Sequence, residues 1–82
     1  MGKRRLKLQE LRKILISFDV VEDASRGKGS HTCFQREIDG KWFSYPVPTN
    51  RDVKPCYVKG IRKKLRLLPD DGVADEDFFG RR

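Results

Sequence analysis

The feature that most constrains the fold of this chain is the pair Asp39 and Gly40, which lies between two β-rich runs at 30–38 and 41–47. The commonest two-residue hairpin turns need a positive φ at one or both central residues, and Asp-Gly supplies it at low steric cost. Flanked by runs of high β propensity, this dipeptide is the strongest short-range signal for a hairpin. The sequence therefore predicts an antiparallel hairpin over 30–47.

The two-residue turn also fixes which side chains share a face of the predicted hairpin. Phe34 falls opposite Tyr45, and Thr32 falls opposite Val47, so this face is apolar and is expected to point inward. Because strand side chains alternate, the other face carries a second group. That group is His31, Cys33, Gln35, Glu37, Trp42 and Ser44. A one-residue slip or a bulge near Gly40 is the alternative, and it would turn His31 inward.

Helical spacing of apolar residues flanks the hairpin on both sides. Leu8, Leu11, Leu15 and Phe18 recur at three- and four-residue steps, which predicts a helix over 7–18. A second stripe consists of Val58, Ile61, Leu65 and Leu68. We expect this second helix to begin at Pro55, where a missing N–H costs nothing, and to end at 69–72.

Shorter signals complete the order of elements. A brief extended piece is expected from Val20, and Pro46 and Pro48 are expected to end the third strand, because proline cannot donate to a ladder. The predicted fold is α+β, in the order α-β-β-β-α, with an antiparallel three-stranded sheet and two helices on one face. Beyond a body at 1–68, an acidic tail at 69–82 either frays or forms a short helix that docks its phenylalanines, and docking is favoured.

The charge of the chain is distributed unevenly. Nineteen lysines and arginines face twelve acidic residues, for a net charge of +7. Residues 1–68 hold 17 of the basic and 7 of the acidic residues, whereas 69–82 hold 2 and 5. A compact cationic body attracts a polyanion, because neutralising phosphates releases counterions. The charge pattern therefore favours nucleic acid as the partner over a cationic surface without function.

Other classes of protein find less support in the sequence. No continuous apolar run marks a membrane span or a secretory signal, so we expect a cytoplasmic protein without a membrane partner. Cys33 and Cys56 are too few for a disulfide framework and are expected to be reduced thiols, at least one of them packed. With one histidine they offer no spacing that favours a metal site.

His31, the only histidine, follows a basic, glycine-punctuated turn and begins a predicted strand. Histidine has an unperturbed pKa near neutrality, so an exposed imidazole can both take and give a proton. The alternative is a hydrogen-bonded strand-start residue with no catalytic role. Gly27 and Gly29 either let the backbone approach a phosphate or simply form a flexible turn, and the flexible turn is favoured.

Three short motifs in this order resemble those of a known family. They are Lys28-Gly29-Ser30-His31 at the start of a strand, Val47-Pro48 closing the hairpin, and Val53-Lys54-Pro55 opening a helix. The whole resembles the double-stranded-RNA-binding-domain-like fold, and more specifically the HicA-type toxin family, over residues 8–68. The tail beyond residue 68 extends past the family pattern.

The resemblance implies an mRNA interferase of a toxin–antitoxin pair. Such a protein is a small endoribonuclease that uses the histidine of the Gly-Ser-His step, here His31, needs no metal or cofactor, and is inhibited by an antitoxin protein of the HicB type. With one imidazole, the enzyme is expected to be slow and to depend on cationic stabilisation.

The residues expected to contact RNA are Arg26, Lys28, Gly29, Ser30, Trp42, Lys59, Arg62 and Lys63. Trp42 has two interpretations, because it could stack an unpaired base or pack beneath Phe78 and Phe79. Two other functions stay open: an RNA-binding module of the same fold that does not cleave, and a cationic adaptor that binds an acidic protein.

Overall fold

The computed structural model describes residues 6–25 and 29–81. In chain order the elements are β1 (Leu6–Lys7), α1 (Leu8–Ser17), β2 (Val21–Asp23), β3 (His31–Ile38), β4 (Lys41–Pro48), β5 (Asp52–Val53), α2 (Pro55–Lys64), a 3₁₀ turn (Pro69–Asp71) and α3 (Asp75–Phe79). Strands β2, β3 and β4 form an antiparallel sheet in that order, and β1 pairs with β5 in a separate two-stranded ribbon. The α+β class and the three-stranded antiparallel sheet are as predicted.

The hairpin between β3 and β4 has the predicted register. Asp39 and Gly40 form its turn with φ values of 53° and 81°, as a type I′ turn requires. Phe34 lies opposite Tyr45, and Thr32 opposite Val47. His31 therefore points to the other face of the sheet, as expected from the alternation of side chains.

β4 ends at Pro48, as expected, but Pro46 lies inside the strand and does not end it. The amide of Thr49 donates to the carbonyl oxygen of Ser30 at 2.6 Å, so the backbone N–H groups of odd-numbered β4 residues point toward β3 at this end. The backbone nitrogens of residues 46 and 48 consequently point toward the free edge of the sheet. A proline there removes no ladder hydrogen bond, because β4 is an edge strand.

The core lies between the two longer helices and the inward face of the sheet. From the helices it takes Leu8, Leu11, Ile14, Leu15, Val58 and Ile61, all buried. From the sheet it takes Phe34 and Val47, which are 1% and 0% exposed. The apolar stripes of both helices and the inward face of the hairpin thus belong to one cluster.

α2 ends at Lys64, about one turn before the expected end at Leu68. Arg66 adopts a left-handed conformation with φ 59°, and the amide of Leu67 donates back to the carbonyl oxygen of Arg62 at 2.7 Å. This is the hydrogen-bond pattern of a Schellman termination. The chain reverses there, so Leu67 is fully buried and Leu68 only partly.

The direction of α2 follows from its contacts with the hairpin. A Cβ on Gly60 would overlap the phenol of Tyr45, so the helix passes closest to β4 at this glycine. The Arg36 guanidinium, opposite Phe43, donates to the carbonyl oxygen of Leu65 at 2.6 Å. α2 therefore runs antiparallel to β4, and its C-terminal end lies toward the hairpin turn.

The segment after α2 is docked, as the sequence favoured. Phe78 in α3 is fully buried and stacks on Phe18, with 5.9 Å between the ring centroids. Arg62, itself 6% exposed, reaches three groups of the returning chain. It donates to the carbonyl oxygens of Leu67 and Val73 at 2.8 and 3.0 Å and to the Asp75 carboxylate at 2.7 Å.

We expect Arg62→Ala to lower the free energy of unfolding by at least about 1–3 kcal/mol, because it leaves buried acceptors unsatisfied. It also removes the guanidinium that lies 4.5 Å from the centroid of the Phe78 ring. The measurement is urea unfolding at neutral pH. Lys63→Ala, an exposed neighbour on α2, is the matched control, and an equal midpoint for both variants would contradict the role of Arg62.

Candidate nucleic-acid interface

His31 is the first residue of β3 and lies opposite Pro48 in β4. Its side chain is exposed, on the face of the sheet away from the core. Residues on the inward face next to it, Thr32 and Val47, are buried beneath the helices. The imidazole is therefore presented to solvent from a rigid strand end.

The residues on both sides of His31 are held by hydrogen bonds to other segments of the chain. The preceding carbonyl oxygen, on Ser30, accepts hydrogen bonds from the Thr49 amide at 2.6 Å and the Thr49 hydroxyl at 2.9 Å. The following residue, Thr32, donates its hydroxyl to the Glu22 carboxylate at 2.7 Å. These bonds fix the start of β3 without using the imidazole.

Glu22, which accepts the Thr32 hydrogen bond, is itself held by Arg12. The Arg12 guanidinium donates to its carboxylate through Nε at 2.8 Å and Nη2 at 3.1 Å. Partial burial desolvates the Glu22 carboxylate and by itself raises its pKa, but the hydrogen bonds from Arg12 and Thr32 and the Arg12 charge outweigh this, so the pKa lies below its ordinary value of 4.5. Glu22 therefore stays ionised at neutral pH and holds both partners.

The His31 imidazole accepts and donates no hydrogen bond within residues 6–25 and 29–81. The interpretation of His31 as a hydrogen-bonded strand-start residue thus finds no partner in the described chain. Within the described residues, neither ring nitrogen is occupied by a hydrogen bond to the protein.

The turn before His31 is described only in part. Gly29 has a φ of 62°, a left-handed conformation that glycine adopts without strain, and both it and Ser30 are exposed. Arg26 and Lys28, predicted to contact RNA phosphates, and Gly27 lie outside the described residues.

Trp42 is 59% exposed on the same face of the sheet as His31. It does not pack beneath the C-terminal segment, because Phe78 stacks on Phe18 in the core. Trp42 lies opposite Glu37, six positions along β3 from His31, and hence about 20 Å from it at the usual rise of a strand. Trp42 and His31 therefore share a face of the sheet but lie toward opposite ends of it.

The basic residues predicted on α2 differ in their availability. Lys59 and Lys63 are exposed. Arg62 is buried, and its guanidinium donors serve Leu67, Val73 and Asp75, so it is removed from the candidate interface. Lys63 lies toward the hairpin turn, at the end of the sheet opposite His31.

A cationic cleft that the sequence did not reveal lies beside the start of β3. It has a volume of about 420 Å³ and is lined by Lys7, Leu8, Gln9, Arg12, Thr49, Asn50 and Arg51. Its two sides come from the start of α1 and from the loop after β4. The two-residue pairing of β1 with β5 joins them, and pairing this short leaves no recognisable pattern in a sequence.

Comparison with known proteins yields no matching family model, curated protein or solved structure. Among residues 6–25 and 29–81, no cluster of three or more histidine, cysteine or acidic side chains could hold a metal ion. Cys33 is buried, Cys56 is exposed, and both are free thiols, as expected. In the same described ranges no helix has the length and apolar character needed to cross a membrane.

We expect Glu22→Gln to destabilise the fold at pH 7 but to matter less in acid. Because the pKa of Glu22 is lowered by folding, its ionised form contributes stability above pH 4.5, and this contribution is lost as pH falls through the folded-state value. The measurement is the urea midpoint of both proteins at pH 7 and at about pH 3. A difference between them that stays constant with pH would contradict the role given to the carboxylate.

Proposed function

We propose that this protein is a metal-independent endoribonuclease of the HicA type, with His31 as its catalytic residue. The observation that carries the proposal is an exposed imidazole without a hydrogen-bond partner in the described chain. It stands on a strand start fixed from both sides, and Thr49, which bonds to the carbonyl oxygen before it, also lines a cationic cleft. An exposed imidazole on a rigid strand end suits proton transfer on a phosphodiester.

The arrangement of elements supports the same proposal. A helix, three antiparallel strands and a second helix follow one another, and both helices contribute to a core on one face of the sheet. This is the order of the double-stranded-RNA-binding-domain-like fold that the sequence motifs resemble. The β1–β5 ribbon and α3 are additions to that order.

In the proposed reaction the 2′-hydroxyl of a ribose attacks the adjacent phosphorus. His31 accepts the 2′-hydroxyl proton or donates a proton to the departing 5′-oxygen, and solvent water makes the other proton transfer. The P–O5′ bond breaks as the P–O2′ bond forms, giving a 2′,3′-cyclic phosphate and a 5′-hydroxyl. A single acid–base group contributes about 10²–10⁴-fold, so the enzyme is slow and depends on nearby cations to stabilise the phosphorane charge.

The uncovered face of the sheet is the surface that an inhibitory partner would occupy in this proposal. Besides His31 it presents the exposed side chains of Trp42 and Val21. An antitoxin protein of the HicB type that covers this face would block the imidazole directly.

One observation favours a second candidate, an RNA-binding module of the same fold that does not cleave. No second acid–base side chain contacts His31 within the described residues, so the geometry shows no catalytic pair. RNA binding at the cationic surface requires no such pair.

We expect His31→Ala to reduce cleavage of a synthetic single-stranded RNA in EDTA by at least about 10²-fold, the lower end of the contribution of an acid–base group. Affinity for the same RNA should change little. The measurement is the rate of product formation by the wild-type and variant proteins, purified in parallel.

Glu37→Ala is the matched control, because Glu37 is exposed on the same strand and face but lies near the hairpin turn. Its cleavage rate should equal that of the wild type. Cleavage by His31→Ala at the wild-type rate would reject the catalytic assignment. Binding of RNA by every protein without cleavage by any would favour the non-catalytic module.

A further inference from the structure

The cleft between α1 and the loop after β4 is built by backbone bonds rather than by flexible side chains. The amide of Leu8 donates to the carbonyl oxygen of Arg51 at 2.9 Å. Leu6 pairs with Val53, and Lys7 with Asp52, in the β1–β5 ribbon. The two sides of the cleft are therefore held at a fixed separation in the absence of a ligand.

The lining of this cleft is cationic and polar. Among residues 6–25 and 29–81, the lining includes Lys7, Arg12 and Arg51 but no carboxylate. Arg12 is engaged by Glu22, whereas Lys7 and Arg51 are exposed. The amide side chains of Gln9 and Asn50 and the Thr49 hydroxyl add hydrogen-bonding groups beside these charges.

Nearby acidic groups leave this positive character in place. The Glu10 carboxylate accepts a hydrogen bond from the Lys7 amide at 3.0 Å, at the start of α1. Asp52 lies opposite Lys7 in the ribbon but does not line the cleft, and no ion pair joins it to Lys7. The part of the lining that the structure describes therefore offers an anionic ligand Lys7 and Arg51 and no carboxylate.

The cleft is connected to the catalytic position through a single residue. Thr49 lines it and also bonds to the Ser30 carbonyl oxygen, directly before His31. The cleft and His31 thus belong to the same end of the sheet, so an RNA strand that crosses this end could contact both. The volume of about 420 Å³ lies within the range of small-ligand sites and far exceeds that of an inorganic phosphate.

We propose that this cleft binds one nucleotide of the RNA strand next to the scissile bond, with its phosphate between Lys7 and Arg51. The inference deepens the proposed ribonuclease function and depends on it for the identity of the strand. The shared chemistry is that of a phosphorylated nucleoside, whether it belongs to an RNA chain or is free as a mononucleotide.

The test measures binding of the full chain to a 2′-O-methyl oligoribonucleotide, which lacks the attacking hydroxyl, at several salt concentrations. Arg51→Ala should weaken binding and reduce the slope of log Kobs against log salt by about one, as loss of one phosphate contact requires. Lys13→Ala removes the same charge from an exposed position on α1 outside the cleft and should leave the slope unchanged. Equal effects of the two variants would overturn the proposal.

A second arm distinguishes the sources of the phosphate and the size of the ligand. Adding a nucleoside 5′-monophosphate should shift the amide resonances of residues 7–9 and 49–51, and inorganic phosphate at equal concentration should shift them much less. Equal shifts from inorganic phosphate would overturn the nucleotide-sized site. If a mononucleotide shifts these resonances but Arg51→Ala leaves the salt slope of oligoribonucleotide binding unchanged, the assignment to an RNA strand would be overturned.

Failure of this proposal and failure of the ribonuclease proposal give different results. If Arg51→Ala changes the salt slope but no protein cleaves RNA, the cleft proposal is supported and the ribonuclease proposal is rejected. If His31→Ala abolishes cleavage but Arg51→Ala behaves like Lys13→Ala, the ribonuclease proposal is supported and the cleft proposal is rejected.

Discussion

The register of the β3–β4 hairpin is the constraint on which the rest of the structure depends. Its type I′ turn at Asp39 and Gly40 places Phe34 and Val47 on the face that both helices cover. A shift of one residue would exchange the two faces, burying His31 and exposing the core. Because the turn needs two positive φ values, the Asp-Gly pair favours this register through local geometry.

The same register places the supporting side chain and the candidate catalytic side chain at the start of β3 on opposite faces of the sheet. Thr32 points inward and is held by Glu22 and Arg12, while His31 points outward and is held only through its backbone. At the far end of the molecule Arg62 uses its charge for packing, joining α2 to the C-terminal segment. Arg12, Arg36 and Arg62 therefore serve the fold, whereas the exposed Lys7 and Arg51 line the cleft beside the start of β3.

The sequence was sufficient to predict the structure wherever neighbouring residues determine it. Asp-Gly specified the hairpin, alternation specified the exposure of His31, and the helical stripes specified both long helices. It was insufficient where distant segments meet. Burial of Arg62 depends on acceptors supplied by the returning chain, and the end of α2 depends on a left-handed Arg66 where no glycine marks the turn. The cleft joins residues more than forty positions apart through a two-residue ribbon.

The central claim is that His31 acts on a ribose 2′-hydroxyl without a metal. The most direct test is to identify the ends of the RNA fragments produced by the purified protein in EDTA, using mass spectrometry and a substrate with one 2′-deoxynucleotide at the cleavage site. The account predicts 2′,3′-cyclic phosphate and 5′-hydroxyl ends, and no cleavage at the deoxynucleotide. Fragments with 3′-hydroxyl and 5′-phosphate ends, or cleavage at the deoxynucleotide, would contradict it.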